Sequence, residues 1–529
     1  MRKILTLSLL ILSLYTHAGD ILVSDSHGLR DALRQAREWR RTHDARCEGG
    51  ITIRLENGRY QLCEPLFLRP EDCGTPEQPL TIVGNAEAVI CGDVPQQHTQ
   101  LWPKEGMERM KAFNTKERTI TIPTPPKQIL EAKHVEMVVH QRWAIAILRV
   151  KEMKVSGAET VVSFMEPESR LEFEHPWPQP VIGGERGIAT PHLASSKNSS
   201  FLLRTTEQRD GIEQLVIVDG ASHVTFSGIT FENTCWNRPL HKGHVTLQGG
   251  FPLIDAYKLA IPGLPWDENL ENQAWVERPV SAVTVRNASQ VNFQNCSFRQ
   301  LAATALDYAD NISNCTVSQC IFKDIGGTAI MAGSFAESPM EVHRPYKHLA
   351  ARCHHLTIKD NSIDGAAQED WGAVAIGCGY VRDVTIAENC IENVNYSGIC
   401  VGWGWTPLDT GMEHNRITGN RVSGYARQLY DAGGIYTLSN QPGSVISGNM
   451  ISAPYPAPYA TNDRGFRIYL DARTDGFTIE NNRTYDAVGG FPADTAADNL
   501  RPIQRDEIGD NNPGPNIIFR KEKGKKVKR

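Results

Sequence analysis

From residue 220 onward the chain repeats one short pattern of hydrophobic and polar positions. Each copy has two apolar residues separated by one residue, a two-residue break, an asparagine or small apolar residue, and a final apolar residue. Period-two alternation predicts β-strands, and the Gly, Asn and Asp residues at the breaks predict bends. The eight copies, two of them shortened, are Val224–Phe231, Val291–Phe298, Cys315–Phe322, Leu356–Ile363, Val384–Ile391, Ile417–Val422, Ile446–Ile451 and Phe477–Thr484.

The residue after each break predicts how the copies stack. It is Ile229, Cys296 and Cys320 in the first three copies, and then Asn361, Asn389, Asn420, Asn449 and Asn482. The shortest spacings between copies lie in the twenties, which is typical of a solenoid with loops inserted between its turns. A buried asparagine at one bend of every turn can bond its neighbours above and below. We therefore predict an all-β fold, a right-handed parallel β-helix, with Cys296 and Cys320 as stacked core thiols.

The remaining segments predict a cap, an insertion and a tail. Leu29–Trp39 has the periodicity of an amphipathic helix, with Ser24 or Ser26 as its N-cap, and it would cover the open end of the solenoid. Residues 96–215 lose the repeat and are predicted to be an inserted β-rich subdomain. The predicted segments are a signal peptide at 1–18, the cap and first turns at 19–95, the insertion at 96–215, the main β-helix at 216–490, and a loop-rich tail at 491–529.

The chain begins with the features of a secretory signal peptide. A basic start is followed by an apolar run from Ile4 to Tyr15, which is too short to span a bilayer, and then by Thr16-His17-Ala18. Cleavage after Ala18 predicts an exported protein, periplasmic or extracellular, with no membrane span. Export permits disulfides among the 12 cysteines, and Cys63 and Cys73 flank a turn where they could pair. None of the cysteines or histidines completes a zinc pattern, so no metal site is predicted.

Composition narrows the range of partners. The net charge of −6 and the absence of a long basic stripe make nucleic acid and anionic membranes poor partners. The basic run at the C-terminus, from Lys521 to Arg529, is expected to be a solvated end. The length of 529 residues then corresponds mostly to one solenoid extended turn by turn, and a monomer is expected.

A second strand in each turn predicts an outward face that could bind a ligand. Alignment on the repeat gives one outward column and a neighbouring one: Gly377, Gly402, Leu438 and Asp471, beside Ala375, Cys400, Tyr436 and Tyr469. Small residues would form a groove floor, with Tyr436 and Tyr469 at one side and Trp403 and Trp405 at its edge. Exposed aromatic rings over such a floor suit sugars. The alternative is that the two tryptophans only roof the core.

Carboxylates cluster near this face. Glu369 and Asp370 precede one outward strand, Asp431 precedes another, and Asp471 projects one turn beyond Asp431. Two carboxylates on neighbouring turns are what glycoside hydrolysis needs, one as the acid and the other as the nucleophile or base. Aspartate is also common in solenoid turns, so the pattern alone does not decide the chemistry.

At these residues the chain resembles glycoside hydrolase family 141, right-handed β-helix enzymes of the pectate-lyase-like solenoid type that include α-L-fucosidases of pectin breakdown and a xylanase. The resemblance covers nearly the whole chain after Ala18. Its catalytic aspartate pair corresponds to Asp431 and Asp471. The segments that carry it are Ala221–Phe226, Tyr396–Trp405, Asp431–Leu438, Gln441–Asn449 and Ile468–Asp471.

The chain departs from the family pattern at two places. Ala472 stands where the family often has an acidic residue, and Arg142-Trp143-Ala144-Ile145 replaces the common Arg-Trp-Pro-Asn of the insertion. Either change can alter the choice of substrate, and the first removes a supporting carboxylate.

Three functions follow as hypotheses. The first is an exported, exo-acting glycosidase on polysaccharide side chains, with Asp431 and Asp471 catalytic and no cofactor. Its substrate contacts would be Glu369, Asp370, Trp403, Trp405, Tyr436, Arg467 and Tyr469. The second is a polysaccharide lyase with Ca²⁺ held by Glu369, Asp370, Asp431 and Asp463 and with Arg467 as the base. The third is a carbohydrate-binding or adhesin solenoid without catalysis.

Overall fold

The computed structural model describes residues 19–92, 98–174, 200–206, 211–246, 248–257, 274–337, 340–341, 349–456, 465–489 and 500–520. The predicted signal peptide, Asp463 and the basic C-terminal run lie outside these residues. Among the described helices, none is long and apolar enough to cross a membrane.

The chain winds into a parallel β-helix whose turns contribute strands to three stacked sheets, which confirms the predicted all-β solenoid. Sheet 1 runs through Asp20–Val23, Ile51–Leu55, Leu80–Val83, Ser222–Ser227, Ala288–Gln294, Thr316–Ser318, Thr357–Lys359, Thr385–Ala387, Arg416–Thr418, Asn440–Ser447, Asp475–Glu480 and Ile518–Arg520, with Ile312–Ser313 and Cys353–His354 at its side. Sheet 2 runs through Gly58–Gln61, Ala88–Cys91, Thr230–Glu232, Ser297–Leu301, Ile321–Ile325, Ser362–Ala366, Cys390–Val394, Arg421–Val422, Met450–Ala453, Arg483–Val488 and Arg501–Pro502. Sheet 3 runs through Leu66–Leu68, Val216–Asp219, Ser281–Arg286, Thr304–Tyr308, Ile330–Ala332, Ile376–Cys378, Ile399–Val401, Ala432–Thr437, Gly465–Leu470 and Ile508–Asp510.

The predicted asparagine ladder lies at the bend between sheets 1 and 2. Asn389 Nδ2 donates to Asn420 Oδ1 at 2.9 Å, and Asn420 Nδ2 donates to Asn449 Oδ1 at 3.0 Å. The same bonds link Asn361 to Asn389 and Asn449 to Asn482, so five turns are connected in one column. Each side chain also accepts from a backbone N–H and thereby satisfies groups that the bend would leave unpaired.

Apolar residues fill the interior in matching columns. Phe226 stacks on Phe293 with ring centroids 4.8 Å apart, and Phe298 stacks on Phe322 at 4.6 Å. Cys296 and Cys320 are buried free thiols in this core, as predicted.

The disulfide that the sequence allows between Cys63 and Cys73 is not formed. Cys63 is exposed and free, and Cys73 Sγ donates to the Gly220 carbonyl at 3.3 Å. The thiol of Cys73 therefore faces the backbone of another turn rather than Cys63.

The predicted capping helix spans Ser26–Arg41, but its N-cap is Asp25, not Ser24 or Ser26. Asp25 Oδ1 accepts from the Gly28 N–H at 2.7 Å, while Ser26 is already the first helical residue. The other helices in the described parts of the chain are short: Lys127–Leu130, Glu168–Glu174 and Arg238–Lys242, with 3₁₀ turns at Ala45–Cys47, Pro70–Asp72, Leu349–Arg352 and Arg505–Glu507.

An antiparallel sheet, the inserted sheet, interrupts the solenoid between its first and later turns. Its strands are His98–Trp102, Glu108–Arg109, Ala112–Asn114, Thr119–Pro123, Val135–His140, Ile145–Ser156, Glu159–Phe164, Ser200–Thr206 and His244–Val245. The last of these returns from the solenoid and pairs with Ile145–Ser156, which ties the inserted sheet to the β-helix. Two small hairpins complete the strands: Leu253–Tyr257 with Ala274–Val276, and Ala336–Glu337 with Met340–Glu341.

The segment predicted to be a loop-rich tail instead adds strands to the solenoid. Ile508–Asp510 pairs with Gly465–Leu470 in sheet 3, and Ile518–Arg520 pairs with Asp475–Glu480 in sheet 1. The strands are only three residues long, which is too short for alternation to reveal them in the sequence.

One register prediction on sheet 3 is wrong. Gly377, not Ala375, is the partner of Cys400, and Ile376 pairs with Ile399. Because side chains alternate with a period of two, a two-residue slip keeps apolar residues inside and leaves no sign in the pattern. The later turns have the predicted register, with Cys400, Tyr436 and Tyr469 in one outward column.

Candidate active site

Asp471 follows the strand Gly465–Leu470, and its side chain is buried. Asn511 Nδ2 donates to Asp471 Oδ1 at 2.7 Å, and the Tyr436 hydroxyl donates to Asp471 Oδ2. Burial, and secondly the charge of Asp431, raise the pKa of Asp471 to about 6, while both hydrogen bonds lower it. A carboxyl group with this pKa can hold a proton near neutral pH, as a general acid must.

Asp431 precedes the strand Ala432–Thr437 on the neighbouring turn. Its φ of 64° lies in the left-handed region, which aspartate tolerates better than most residues. Arg142 Nη2 lies 3.1 Å from Asp431 Oδ2, and the Tyr469 hydroxyl donates to Asp431 Oδ1 at 3.0 Å. The Tyr396 hydroxyl donates to the Asp431 carbonyl at 3.1 Å, which holds the backbone of this bend. The ion pair suits a carboxylate that acts in its charged form.

Two tyrosines connect the carboxylates in a crossed arrangement. Tyr436 and Tyr469 are direct partners on adjacent strands, with ring centroids 5.3 Å apart and planes at 87°. Tyr436 follows Asp431 in the chain but bonds Asp471, whereas Tyr469 precedes Asp471 but bonds Asp431. Each tyrosine therefore fixes the carboxylate of the neighbouring turn, and the pair can supply one acid and one charged carboxylate to the same substrate.

The inserted sheet contributes Arg142 to this site. Arg142 lies between the strands Val135–His140 and Ile145–Ser156, is buried, and has a φ of 79°. Its guanidinium lies 5.3 Å from the Trp143 ring centroid and 5.6 Å from that of Tyr430, within the range of cation–π contact. The Tyr430 N–H donates to the Arg142 carbonyl at 3.1 Å. The turn that joins these two strands is thus anchored directly beside Asp431.

Comparison with known proteins decides the family. The model of the GH141 insertion domain matches residues 95–206, and that of the right-handed beta helix region matches residues 349–512. A solved structure named "Glycoside hydrolase" is 31% identical, covers 96% of this chain and 98% of its own, and has a TM-score of 0.80. The chain belongs to glycoside hydrolase family 141. This confirms both the resemblance and the right-handed β-helix expected from the sequence.

More distant similarities of this family 141 protein carry no functional argument. An alginate lyase from Paenibacillus sp. str. FPU-7 is 9% identical, covers 94% of this chain and 99% of its own, and has a TM-score of 0.38. The surface adhesin PfbA of Streptococcus pneumoniae is 13% identical, covers 94% and 98%, and has a TM-score of 0.40. No curated protein matches the chain.

The two predicted tryptophans lie near the tyrosines but differ in exposure. Trp405 is half-buried and packs against the cluster of Tyr436, Leu438 and Tyr469. Trp403 is only 4% exposed, with its ring centroid 5.3 Å from Phe251 and 5.1 Å from Phe335. It therefore roofs the core, the alternative that the sequence left open, and does not offer an open face to a sugar.

Glu369 and Asp370 are held by side chains of the inserted sheet. Arg204 Nη1 donates to Glu369 Oε2 at 2.8 Å, and His244 Nε2 lies 3.0 Å from Asp370 Oδ2. Both partners lie outside the solenoid strands. The alternation of apolar and polar residues along those strands therefore could not predict these contacts. Asp370 lines a cavity separate from the site of Asp431 and Asp471, which we call the second cavity.

Arg467 is also directed away from the carboxylate pair. Its guanidinium contacts Asp486 at 3.2 Å and Glu507 at 2.9 Å, and its Nε donates to the Thr484 hydroxyl. The cation is thus held by carboxylates toward sheet 2, so the lyase base expected there is not in place. Within the described ranges, no group of three or more His, Cys, Asp or Glu side chains is placed to hold a metal ion.

Sequence reasoning missed Asn511 and Gln248, and it treated Arg142 only as a change in a family motif. Gln248 Nε2 donates to the Tyr436 hydroxyl at 3.1 Å, so Gln248, Tyr436 and Asp471 form a chain of hydrogen bonds. Asn511 and Gln248 lie in segments without the repeat. The one available signal was the family motif around Arg142, which marked the insertion as related to the site.

Proposed function

We propose that this family 141 glycoside hydrolase removes a terminal sugar from the side chains of a complex polysaccharide, with Asp431 and Asp471 as its catalytic pair. The observation that carries the proposal is the raised pKa of Asp471, about 6, beside a second carboxylate that is paired with Arg142. Two carboxyl groups in such different environments have the division of labour that glycoside hydrolysis requires.

Asp471 is the proposed general acid. Its proton passes to the glycosidic oxygen as the bond between that oxygen and the anomeric carbon of the terminal sugar breaks, so the rest of the glycan leaves as a neutral alcohol. Asp431 is the proposed nucleophile or base. It either attacks the anomeric carbon to form an ester, which a water that Asp471 deprotonates then hydrolyses, or it takes a proton from a water that attacks the anomeric carbon directly. Arg142 and Tyr469 hold Asp431 in position for either step.

The proposed substrates are pectic or hemicellulosic side chains, such as those ending in α-L-fucose, since the family includes α-L-fucosidases and a xylanase. The proposed place of action is outside the cytoplasm, because residues 1–18 have the features of a signal peptide. No cofactor is required, because both catalytic groups are carboxyl groups of the chain.

The test is a screen for monosaccharides released from pectic, hemicellulosic and fucosylated glycans, followed by kinetics on the best substrate. Asp431→Asn and Asp471→Asn should each lower kcat by at least about a thousandfold, because each removes a group acting in the transition state. Asp364→Asn is the matched control: this half-buried carboxylate on sheet 2 bonds Asn393 and should keep full activity.

The thermal midpoints of the variants should remain close to that of the parent, which separates catalysis from folding. Full activity in both site variants would refute the assignment. Products with an ultraviolet-absorbing unsaturated sugar, lost on addition of EDTA, would instead indicate a lyase.

A further inference from the structure

A second cavity lies farther along the solenoid, toward its N-terminal end. Its volume is about 260 Å³. Its floor is formed where strands of sheet 3 begin, at Ala302, Thr304 and Thr328, and its wall is formed by residues 236–244 and 249–252, beside the strand that joins the inserted sheet. This volume is slightly below that of pockets that hold drug-sized ligands, about 300–1,000 Å³, and suits a single ring-sized unit.

Two polar side chains of the lining have unused hydrogen-bonding atoms. His244 Nδ1 and Arg238 Nε are buried and have no hydrogen-bond partner in the described parts of the chain. His244 is 1% exposed, and its other nitrogen, Nε2, is engaged by Asp370 at 3.0 Å. A buried polar atom without a partner costs free energy, about 1–3 kcal/mol, unless a ligand or water bonds it.

The close approach of this wall to Asp370 depends on a glycine. Gly250 has a φ of 79°, and a Cβ atom there would lie 2.7 Å from Asp370 Oδ2. The Trp236 ring packs edge-on against His244, with centroids 4.7 Å apart. The wall thus combines an aromatic ring with a fixed histidine–aspartate pair, the mixture of apolar surface and few oriented polar groups that sugar sites use.

The charges of the lining favour an uncharged occupant. Arg238, Lys242 and Arg278 are balanced by Glu213, Glu277 and Asp370. Arg238 is paired with Glu277, and Arg278 with Asp307 at 2.6 Å through two nitrogens. The pocket therefore has no excess charge for a uronate, although it has donors and acceptors for hydroxyl groups.

The second cavity lies on the same face of sheet 3 as the proposed catalytic pair. A narrower cavity between them shares Gly249 and Thr328 with the second cavity and is also lined by Tyr436, which bonds Asp471. The second cavity lies three to four strand spacings of sheet 3 away from Asp431 and Asp471, a distance of about 15–19 Å at the usual spacing of about 4.8 Å. One monosaccharide cannot reach both places, whereas an oligosaccharide can.

We propose that the second cavity binds an uncharged sugar residue of the same glycan whose terminal bond is cleaved at Asp431 and Asp471. This inference rests on the proposed function for the identity of the bond but not for the binding itself. The protein would then recognise its substrate by a distant part of the chain or branch as well as by the sugar it removes.

The experiment measures binding to an immobilised panel of neutral and uronic-acid oligosaccharides by the parent protein, Ala302→Phe and Lys323→Phe. The phenylalanine at 302 fills the cavity, while Lys323, exposed on sheet 2, receives the same ring on another face. The parent should bind neutral oligosaccharides, Ala302→Phe should weaken that binding at least tenfold, and Lys323→Phe should match the parent. If Ala302→Phe does not fold, Lys242→Ala, which removes an exposed lining donor, should weaken binding at least threefold.

The inference and the proposed function can fail separately. Asp471→Asn should keep oligosaccharide binding, so loss of binding in Ala302→Phe without any hydrolysis by the parent would support the cavity and refute the function. Equal binding by the parent and Ala302→Phe, a preference for uronic-acid oligosaccharides, or no binding to any member of the panel would overturn the inference.

Discussion

At the scale of single residues, the proposed role of Asp471 as the acid depends on what sets the pKa of its carboxyl group. Burial and the charge of Asp431 raise its pKa, and the hydrogen bonds from Tyr436 and Asn511 lower it. The value of about 6 is the balance of these opposing effects. Removing one of these two hydrogen-bond donors should therefore raise the pKa of Asp471.

Tyr436→Phe tests this balance. The parent should lose kcat/KM as pH rises through about 6, because the general acid then loses its proton. Tyr436→Phe removes a bond that favours the charged form, so the pKa of Asp471 rises and the alkaline limb should move to higher pH by about 0.5–1 unit. The measurement is the pH profile of kcat/KM on the best substrate.

Tyr469→Phe is the matched control, because Tyr469 bonds Asp431 and not Asp471. Its alkaline limb should stay within about 0.3 unit of the parent. A limb that moves to lower pH in Tyr436→Phe would contradict the assignment of Asp471 as the acid.

At the scale of elements, the sequence predicts those features that each turn repeats. The asparagine ladder was predictable because five consecutive copies of the pattern place an asparagine at the same bend. The register of Ile376–Cys378 was not, because a slip of two residues preserves the inward and outward faces of a short strand. The helix cap was missed for a similar reason, since Ser24, Asp25 and Ser26 are all common N-caps and only the backbone decides among them.

Asn420→Ala tests the ladder. Asn420 donates to Asn449 and to the Ile386 carbonyl, and it accepts from the backbone and side chain of Asn389. Its loss leaves buried groups without partners, so the free energy of unfolding should fall by about 2–4 kcal/mol. Denaturant unfolding followed by circular dichroism measures the change.

Asn57→Ala, which removes an exposed asparagine bonded to Glu87, should cost less than about 1 kcal/mol. Equal losses in the two variants would show that the ladder does not stabilise the solenoid beyond an ordinary surface bond.

At the scale of the whole molecule, the proposed catalytic pair is contacted by parts of the chain that lie outside the repeats. Arg142 comes from the inserted sheet, Gln248 from the segment that returns to that sheet, and Asn511 from the last turn. Periodicity could place Asp431 and Asp471 on neighbouring turns, but not these three, because their contacts join positions 40 to nearly 300 residues apart. Nothing local in the sequence encodes such contacts.

Arg142→Ala tests whether the inserted sheet takes part in catalysis or only covers the solenoid. Without the guanidinium, Asp431 loses its ion pair 3.1 Å away, so the orientation of its carboxylate is less well fixed. We expect kcat/KM to fall at least about a hundredfold, with partial recovery in Arg142→Lys, which restores the charge but not the planar, two-pronged geometry.

Arg118→Ala, which breaks an exposed pair with Glu166 in the same sheet, should leave kcat/KM within about twofold, since exposed pairs contribute little. Comparison of thermal midpoints shows whether the loss is one of folding. If Arg142→Ala folded normally and kept the parent's kcat/KM, the inserted sheet would be a cover, and the active site would belong to the solenoid alone.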